Sequence, residues 1–172
     1  MNDVIIIGGS ADRLKDFWSV YNKTDPQVII TVNHYPPPEG IGPNYICYLD
    51  DIEQLHKGKK HHIKIARENL HRKHGTRAVS IRSWQCDITI TDHKERNIGD
   101  SGILAVHFAL IAYTGRIYLC GFDLRRNANP NKTTDTIKKW KEYFLTLSTD
   151  QVRRMQPMSP EMFGFIADIP SN

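Results

Sequence analysis

Six places in the 172-residue sequence carry side chains able to do chemistry, and five of them follow short apolar runs. Gly8-Gly9-Ser10 follows Val4-Ile5-Ile6-Ile7, and Asn33-His34 follows Val28-Ile29-Ile30-Thr31-Val32. Asp50-Asp51 follows Tyr45-Ile46-Cys47-Tyr48-Leu49, and Thr91-Asp92-His93 follows Ile88-Thr89-Ile90. Asp123 stands just past Arg116-Ile117-Tyr118-Leu119-Cys120, and the sixth place, Asp100-Ser101-Gly102, opens an Ala-rich stretch. In open α/β sheets ligands bind beyond the carboxyl ends of the strands, so residues placed there are candidates whatever the family.

Each candidate has both a chemical and a structural reading. The Gly8-Gly9-Ser10 turn would let backbone N–H groups and a helix N-terminus meet a phosphate. It lacks the third glycine of a dinucleotide fingerprint and any Gly-Lys-Ser/Thr, so a simple tight turn explains it as well. Asp100 suits an N-cap that satisfies orphan helix donors, while Ser101 and Gly102 would face a crevice. His34 and His93 would titrate near neutrality and could deprotonate a hydroxyl; each could equally be a loop histidine. His61-His62 and His71-x-x-His74 make a poor metal site, because adjacent histidines point apart and the second pair has no third ligand in sequence. No metal site is expected from the histidines.

A frame of strands must hold these residues. Val4 to Ile7, Val28 to Val32 and Ile117 to Cys120 read as central parallel strands buried on both faces. Leu14, Phe17, Trp18 and Tyr21 recur at helical spacing over Asp12 to Tyr21, and Pro36-Pro37-Pro38 forbids ladder or helix after the second strand. Tyr45 to Leu49, Ala78 to Ile81 and Ile88 to Ile90 read as further strands, and Ile63 to His74 as either a helix or an extended excursion. A helix runs from Ile103 to Tyr113, opened by Ser101-Gly102 and ended by Gly115, with Ala105, Phe108, Ala109 and Ala112 on its packing face. After a polar loop at 127–132, Thr134 to Leu147 reads as an amphipathic helix capped by Thr133 or Thr134, with Ile137, Trp140, Phe144 and Leu147 apolar. Strands alternating with helices predict a Rossmann-like, doubly wound, mostly parallel α/β sheet in a three-layer sandwich.

Composition sets the outer limits. With 40% hydrophobic and 24% charged residues, 11 Gly and 9 Pro, the chain is neither collagen-like, mucin-like nor disordered. At roughly 100 to 200 residues per domain, residues 1–172 make one domain. No apolar run nears the ~18 to 20 residues that span a bilayer, and Met1-Asn2-Asp3 brings no basic region, so neither a membrane span nor a signal peptide is expected. Cys47, Cys86 and Cys120 form no C-x-x-C pair, which fits a reducing, cytoplasmic setting.

The formal charge of +4 is unevenly spread. Lys57 to Arg77 holds eight Lys or Arg against the single acid Glu68, a net +7, which leaves −3 for the rest. Five of the eight histidines, His56, His61, His62, His71 and His74, lie in or beside this segment. It reads as a basic insertion at about 56–77, either an anion-attracting patch or a solvated face. Without an aromatic between Lys57 and Arg77 it offers no stacking platform, so at most weak, non-specific nucleic-acid binding is expected.

The block SGILAVHFALIAYTGRIYLCGFDL (Ser101 to Leu124) resembles the Ser-Gly, Ala-rich helix and I-Y-L-x-G-x-D block of bacterial family-42 sialyltransferases and of the related archaeal-type 6-hydroxymethylpterin pyrophosphokinase-like proteins. VIIIGGS (Val4 to Ser10) is similar to their first strand and turn, VIITVNHY (Val28 to Tyr35) to their second strand, and Gln156 to Pro160 to their C-terminal Ser-Pro element. The resemblance covers about half of the chain in patches, of which only Ser101 to Asp123 is specific. It implies nucleotide contacts from Gly8, Gly9, Ser10, Asn33, Ser101 and Gly102, with Asp123 near the donor sugar or phosphates. The sialyltransferases carry a catalytic His in a lid after this block, whereas here no His follows His107. His93 and His34 are the substitutes to test, beside Asp123.

The resemblance implies a transferase, glycosyltransferase-like, moving a group from a nucleotide or nucleotide-sugar to a hydroxyl acceptor, with a CMP-type donor. Arg125, Arg126 and the basic segment would stabilise a departing phosphate. A pyrophosphokinase-like alternative transfers diphosphate and would hold Mg²⁺ on Asp50, Asp51 and Asp123. A third, non-catalytic reading has the 57–77 segment bind nucleic acid or a protein partner. The chain length leaves little room for an acceptor domain, so the acceptor is small or is bound by a second subunit of a homo-oligomer.

Overall fold

The computed structural model describes residues 2–26, 28–33, 37–41, 45–48, 63–67, 69–71, 78–80, 88–90, 100–124 and 130–168. Among them the chain is α/β, with a seven-stranded sheet whose every pairing is parallel. The strands are β1 (Val4–Ile7), β2 (Val28–Val32), β3 (Tyr45–Tyr48), β4 (Ile63–Arg67), β7 (Ile88–Ile90), β8 (Ile117–Cys120) and β9 (Met155–Pro157), in the order β7-β4-β3-β2-β1-β8-β9. Two further short strands, β5 (Asn69–His71) and β6 (Ala78–Ser80), pair antiparallel with each other. The helices are α1 (Arg13–Tyr21), α2 (Ser101–Ala112), α3 (Pro130–Phe144), α4 (Thr149–Arg153) and α5 (Pro160–Ala167).

The three strands expected at the centre, β2, β1 and β8, are there and parallel. All four residues of β1 and of β8 are buried, and the two-residue period of a strand divides them between opposite faces. Val4, Ile6, Ile117 and Leu119 pack with α2 and α3 on one face; Ile5, Ile7, Tyr118 and Cys120 pack with Phe17 and Val20 of α1 on the other. Right-handed crossovers account for this division: the chain leaves β1 towards β2 through α1 and returns through α2 to β8, on the other side of β1, so the two helices take opposite faces.

The structure differs from the sequence expectation in three helices. In α1 the buried residues are Phe17 and Val20, while Leu14 and Trp18 are 39% and 41% exposed. The helix is turned so that Asp16 reaches inward to the Gly121 backbone, which rotates Leu14 and Trp18 out. Helix α2 has no single packing face: Ser101 to Leu110 are all buried, as a helix laid across β1, β2, β3, β4 and β8 and covered by α3 must be. Gly115 does not cap it; α2 ends at Ala112, and Gly115 is needed because a Cβ there would run into the Asn2 backbone. Finally, α3 opens at Pro130, four residues before Thr134, at the helical position where the missing proline N–H costs nothing.

The end of α2 is closed by a residue far along the chain. The guanidinium of Arg154 donates from Nε to Gly115 O at 3.0 Å, from Nη1 to Leu110 O at 3.4 Å and from Nη2 to Tyr113 O at 2.5 Å. It thereby takes up carbonyls that no glycine cap satisfies. Of the basic segment, Ile63–Arg67 is a sheet strand between β3 and β7, and Asn69–His71 belongs to the small antiparallel pair; the rest lies outside the described residues. No helix among the described residues is long and apolar enough to cross a membrane.

Candidate functional site

Strand order reverses between β1 and β8, and there, at their carboxyl ends, a cavity of about 460 Å³ opens. Four separated stretches wall it: Gly8 to Ala11 after β1, Val32 and Asn33 at the end of β2, Asp100 and Gly102 at the start of α2, and Gly121 to Leu124 after β8. Thr136 and Trp140 of α3 close the side.

The first and last of these stretches fit together only because both contain glycine. Gly8 N–H donates to Cys120 O at 2.8 Å and Ser10 N–H to Gly121 O at 3.0 Å. A Cβ on Gly8 would sit 2.6 Å from Gly121 O. Gly121 itself is left-handed (φ 72°), and a Cβ there would run into Cβ of Arg13. Its N–H donates to Asp16 Oδ2 at 2.9 Å. Burial pushes the Asp16 carboxyl above the usual carboxylate range; the Gly121 hydrogen bond opposes this, and the charges of Asp12 and Glu161 add to it. Asn33 is also left-handed (φ 57°), a conformation its short amide side chain tolerates, and its N–H donates to Cys47 O at 2.9 Å.

The two helix ends at the cavity differ. The amides of Gly9 and Ala11 donate to nothing among the described residues; the Asp12 side chain does not cap α1, and Ser10 accepts the Asp12 N–H on Oγ at 3.3 Å and the Arg13 N–H on its carbonyl at 3.2 Å. At α2 the donors are taken: Asp100 Oδ1 accepts from Gly102 N–H at 2.7 Å and from Ile103 N–H at 3.4 Å, and Trp140 hydrogen-bonds the same side chain. Burial pushes the Asp100 carboxyl up, opposed by those bonds and by Lys139. The cavity thus has a donor-rich end at the β1–α1 turn and a carboxylate end at α2.

The raised Asp100 carboxyl has a pH consequence. Its folded value lies above the ordinary one near 3.8, so the folded state holds the proton more tightly, and its stability contribution, full below that value, falls as pH rises through the window above it. Asn keeps the acceptor oxygen without the buried charge. Asp100→Asn should therefore gain stability relative to the parent as pH rises from about 4 to 7, while Asp100→Ala loses about 1 to 2 kcal/mol through the missing cap. Urea unfolding across that range checks both; a parent advantage over Asp100→Asn that grows with pH would contradict the assignment.

Of the residues singled out in the sequence, Gly8, Gly9, Ser10, Asn33, Gly102 and Asp123 line this one cavity. Ser101 does not: it is buried, 3% exposed, and the neighbouring Gly102 amide is bonded to Asp100. His34, His93, Asp50, Asp51, Arg125 and Arg126 lie outside the described residues. Phe122, Thr136 and Trp140 also wall the cavity, which no strand-end signal in the sequence indicates. The last two sit four residues apart on α3 and so share a face; Phe122 and Trp140 meet edge to face, with ring centres 5.7 Å apart. Cys47 and Cys120 are free but buried, and burial pushes both thiols up, so neither is a reactive nucleophile.

A second cavity of about 370 Å³ lies on the other side of Ser10 and Asp123, between α1 and the β9–α5 turn. Ser159 fixes that turn, donating from Oγ to Phe122 O at 2.6 Å and accepting Met162 N–H at 3.2 Å as the cap of α5. Among the described residues no three His, Cys, Asp or Glu stand close enough to hold a metal ion. Compared with protein-family models, with curated proteins and with solved structures, the chain matches none.

Proposed function

We propose that the chain is a single Rossmann-like, doubly wound domain in a three-layer sandwich, which binds a nucleotide or nucleotide-sugar in the β1/β8 crevice and transfers its glycosyl group to a hydroxyl acceptor. The observation that carries the binding half is the polarity of the cavity: the amides of Gly9 and Ala11, which meet no acceptor among the described residues, and the N-terminal end of α1 stand at one end, the Asp100 carboxylate at the other. A phosphate is attracted to the first end by oriented N–H groups and the helix dipole, and repelled from the second. Ribose or sugar hydroxyls suit the second end, where Asp100 offers an acceptor. The glycosyl-transfer half rests on the sequence resemblance. In it, Asp123 is the base at the cavity wall, with His34 and His93 as the alternatives that single substitutions would separate. A CMP-type donor is favoured on the same ground.

A thermal-shift panel of CMP, UDP, GDP and ATP tests the binding half. A nucleotide that binds only the folded state stabilises it by about 2.7 kcal/mol at 100 times its Kd, which for a chain of this length raises Tm by roughly 5 to 10 °C. At least one nucleotide should do so, and its inorganic phosphate control should not. No shift with any of the four would remove the reading.

A further inference from the structure

Two cavities that meet at one carboxylate suggest two ligands. We propose that the second cavity is the acceptor subsite, and that it takes a hydroxyl compound without negative charge, neutral or amine-bearing, while the nucleotide fills the first. The proposal rests on the nucleotide reading above. The two cavities share just two wall residues, Ser10 and Asp123, so a ligand in each would meet across them. At about 370 Å³ the second falls within the range of pockets that enclose small organic molecules.

Its walls are fixed in place. Asp16 is bonded to the Gly121 N–H at the back, and Ser159 ties the β9–α5 turn to Phe122 O. The walls also select by charge: Asp12, Asp16 and Glu161 face it against Lys15, so a carboxylated or phosphorylated acceptor is repelled. Among the described residues no three of these carboxylates stand close enough together to hold a metal ion. A hydroxyl held beside Asp123 points towards the donor. In the transfer, the acceptor oxygen forms its bond to the anomeric carbon, and the bond from that carbon to the nucleotide phosphate oxygen breaks. The electron pair leaves on the phosphate, and the hydroxyl proton passes to the Asp123 carboxylate.

Saturation-transfer and interligand Overhauser NMR on the intact protein test this, with the most stabilising nucleotide of the panel and with glucose, glucosamine and gluconate as acceptor probes. With nucleotide bound, glucose and glucosamine should receive saturation and show Overhauser effects to the nucleotide. Gluconate should bind about five-fold more weakly or worse, and Glu161→Lys should remove that discrimination. Sugars that displace the nucleotide, sugars that do not bind the loaded protein, or gluconate binding as well as glucosamine would each overturn the proposal while leaving the nucleotide reading standing. A nucleotide-only arm without saturation transfer would overturn that reading, and this proposal with it.

Discussion

Gly121→Ala is expected to destabilise the protein by about 2 to 5 kcal/mol and to open the crevice. A left-handed conformation costs an L residue about 1 to 2 kcal/mol, and forcing an extra methyl into packed structure costs about 1 to 3 more. Both apply here, because φ is 72° and the new Cβ would run into Cβ of Arg13 and lie 2.9 Å from its Cα. A backbone atom cannot swing aside like a side-chain tip, so the start of α1 must move and the Gly121 N–H bond to Asp16 goes with it. Gly40→Ala is the internal control. Gly40 is also left-handed (φ 82°), but a Cβ there meets nothing within 4 Å among the described residues, so the conformational cost is the one expected. Urea unfolding of the two variants should separate them by 1 kcal/mol or more, on the order of the overpacking cost. Equal losses would show that the contact with α1 carries no energy.

The second large effect is expected at Arg154. A buried hydrogen bond to a charged group contributes about 1.5 to 3 kcal/mol net, less where water reaches it, and a cation also favours a helix C-terminus. Arg154→Met leaves the carbonyls of Leu110, Tyr113 and Gly115 without that donor and should cost about 2 to 4 kcal/mol. Arg154→Lys recovers a fraction of this, because an ammonium cannot reproduce the planar fork. The neighbouring Arg153 is 76% exposed and pairs with Asp150 at 3.7 Å, so Arg153→Ala should change stability by less than about 0.5 kcal/mol. Hydrogen exchange at the last turn of α2 should accelerate in Arg154→Met alone; comparable losses in both arginine variants would contradict the capping role.

The contrast between those two arginines marks where the sequence stops being legible. Buried parallel strands such as Val4–Ile7 and Ile117–Cys120 are unbroken β-branched or apolar runs, and the residues just past them fall at the cavity because a sheet delivers strand ends to one edge. Strand β9 has no such signature: Met155-Gln156-Pro157 is held at the sheet edge by pairing with β8, a tertiary fact. The buried face of α1 departs from its apolar period for a related reason. Leu14 and Trp18 fit the apolar period, but the bond from Gly121 to Asp16 fixes the rotation of the helix. At the start of α2 the sequence offers the same donors to a cap and to a ligand, and only the structure shows one Asp100 oxygen accepting from both Gly102 and Ile103.

The central claim is that a nucleotide phosphate binds at the β1–α1 turn and not at α2. Amide chemical shifts of the isotope-labelled protein, followed through a titration with the nucleotide that most raises Tm, test it residue by residue. The amides of Gly9 and Ala11 should move downfield and saturate together, as donors that acquire an anionic acceptor do, while Gly102 and Ile103, already bonded to Asp100, stay nearly still. Large saturable shifts at Gly102 and Ile103 with Gly9 and Ala11 unmoved would contradict the account.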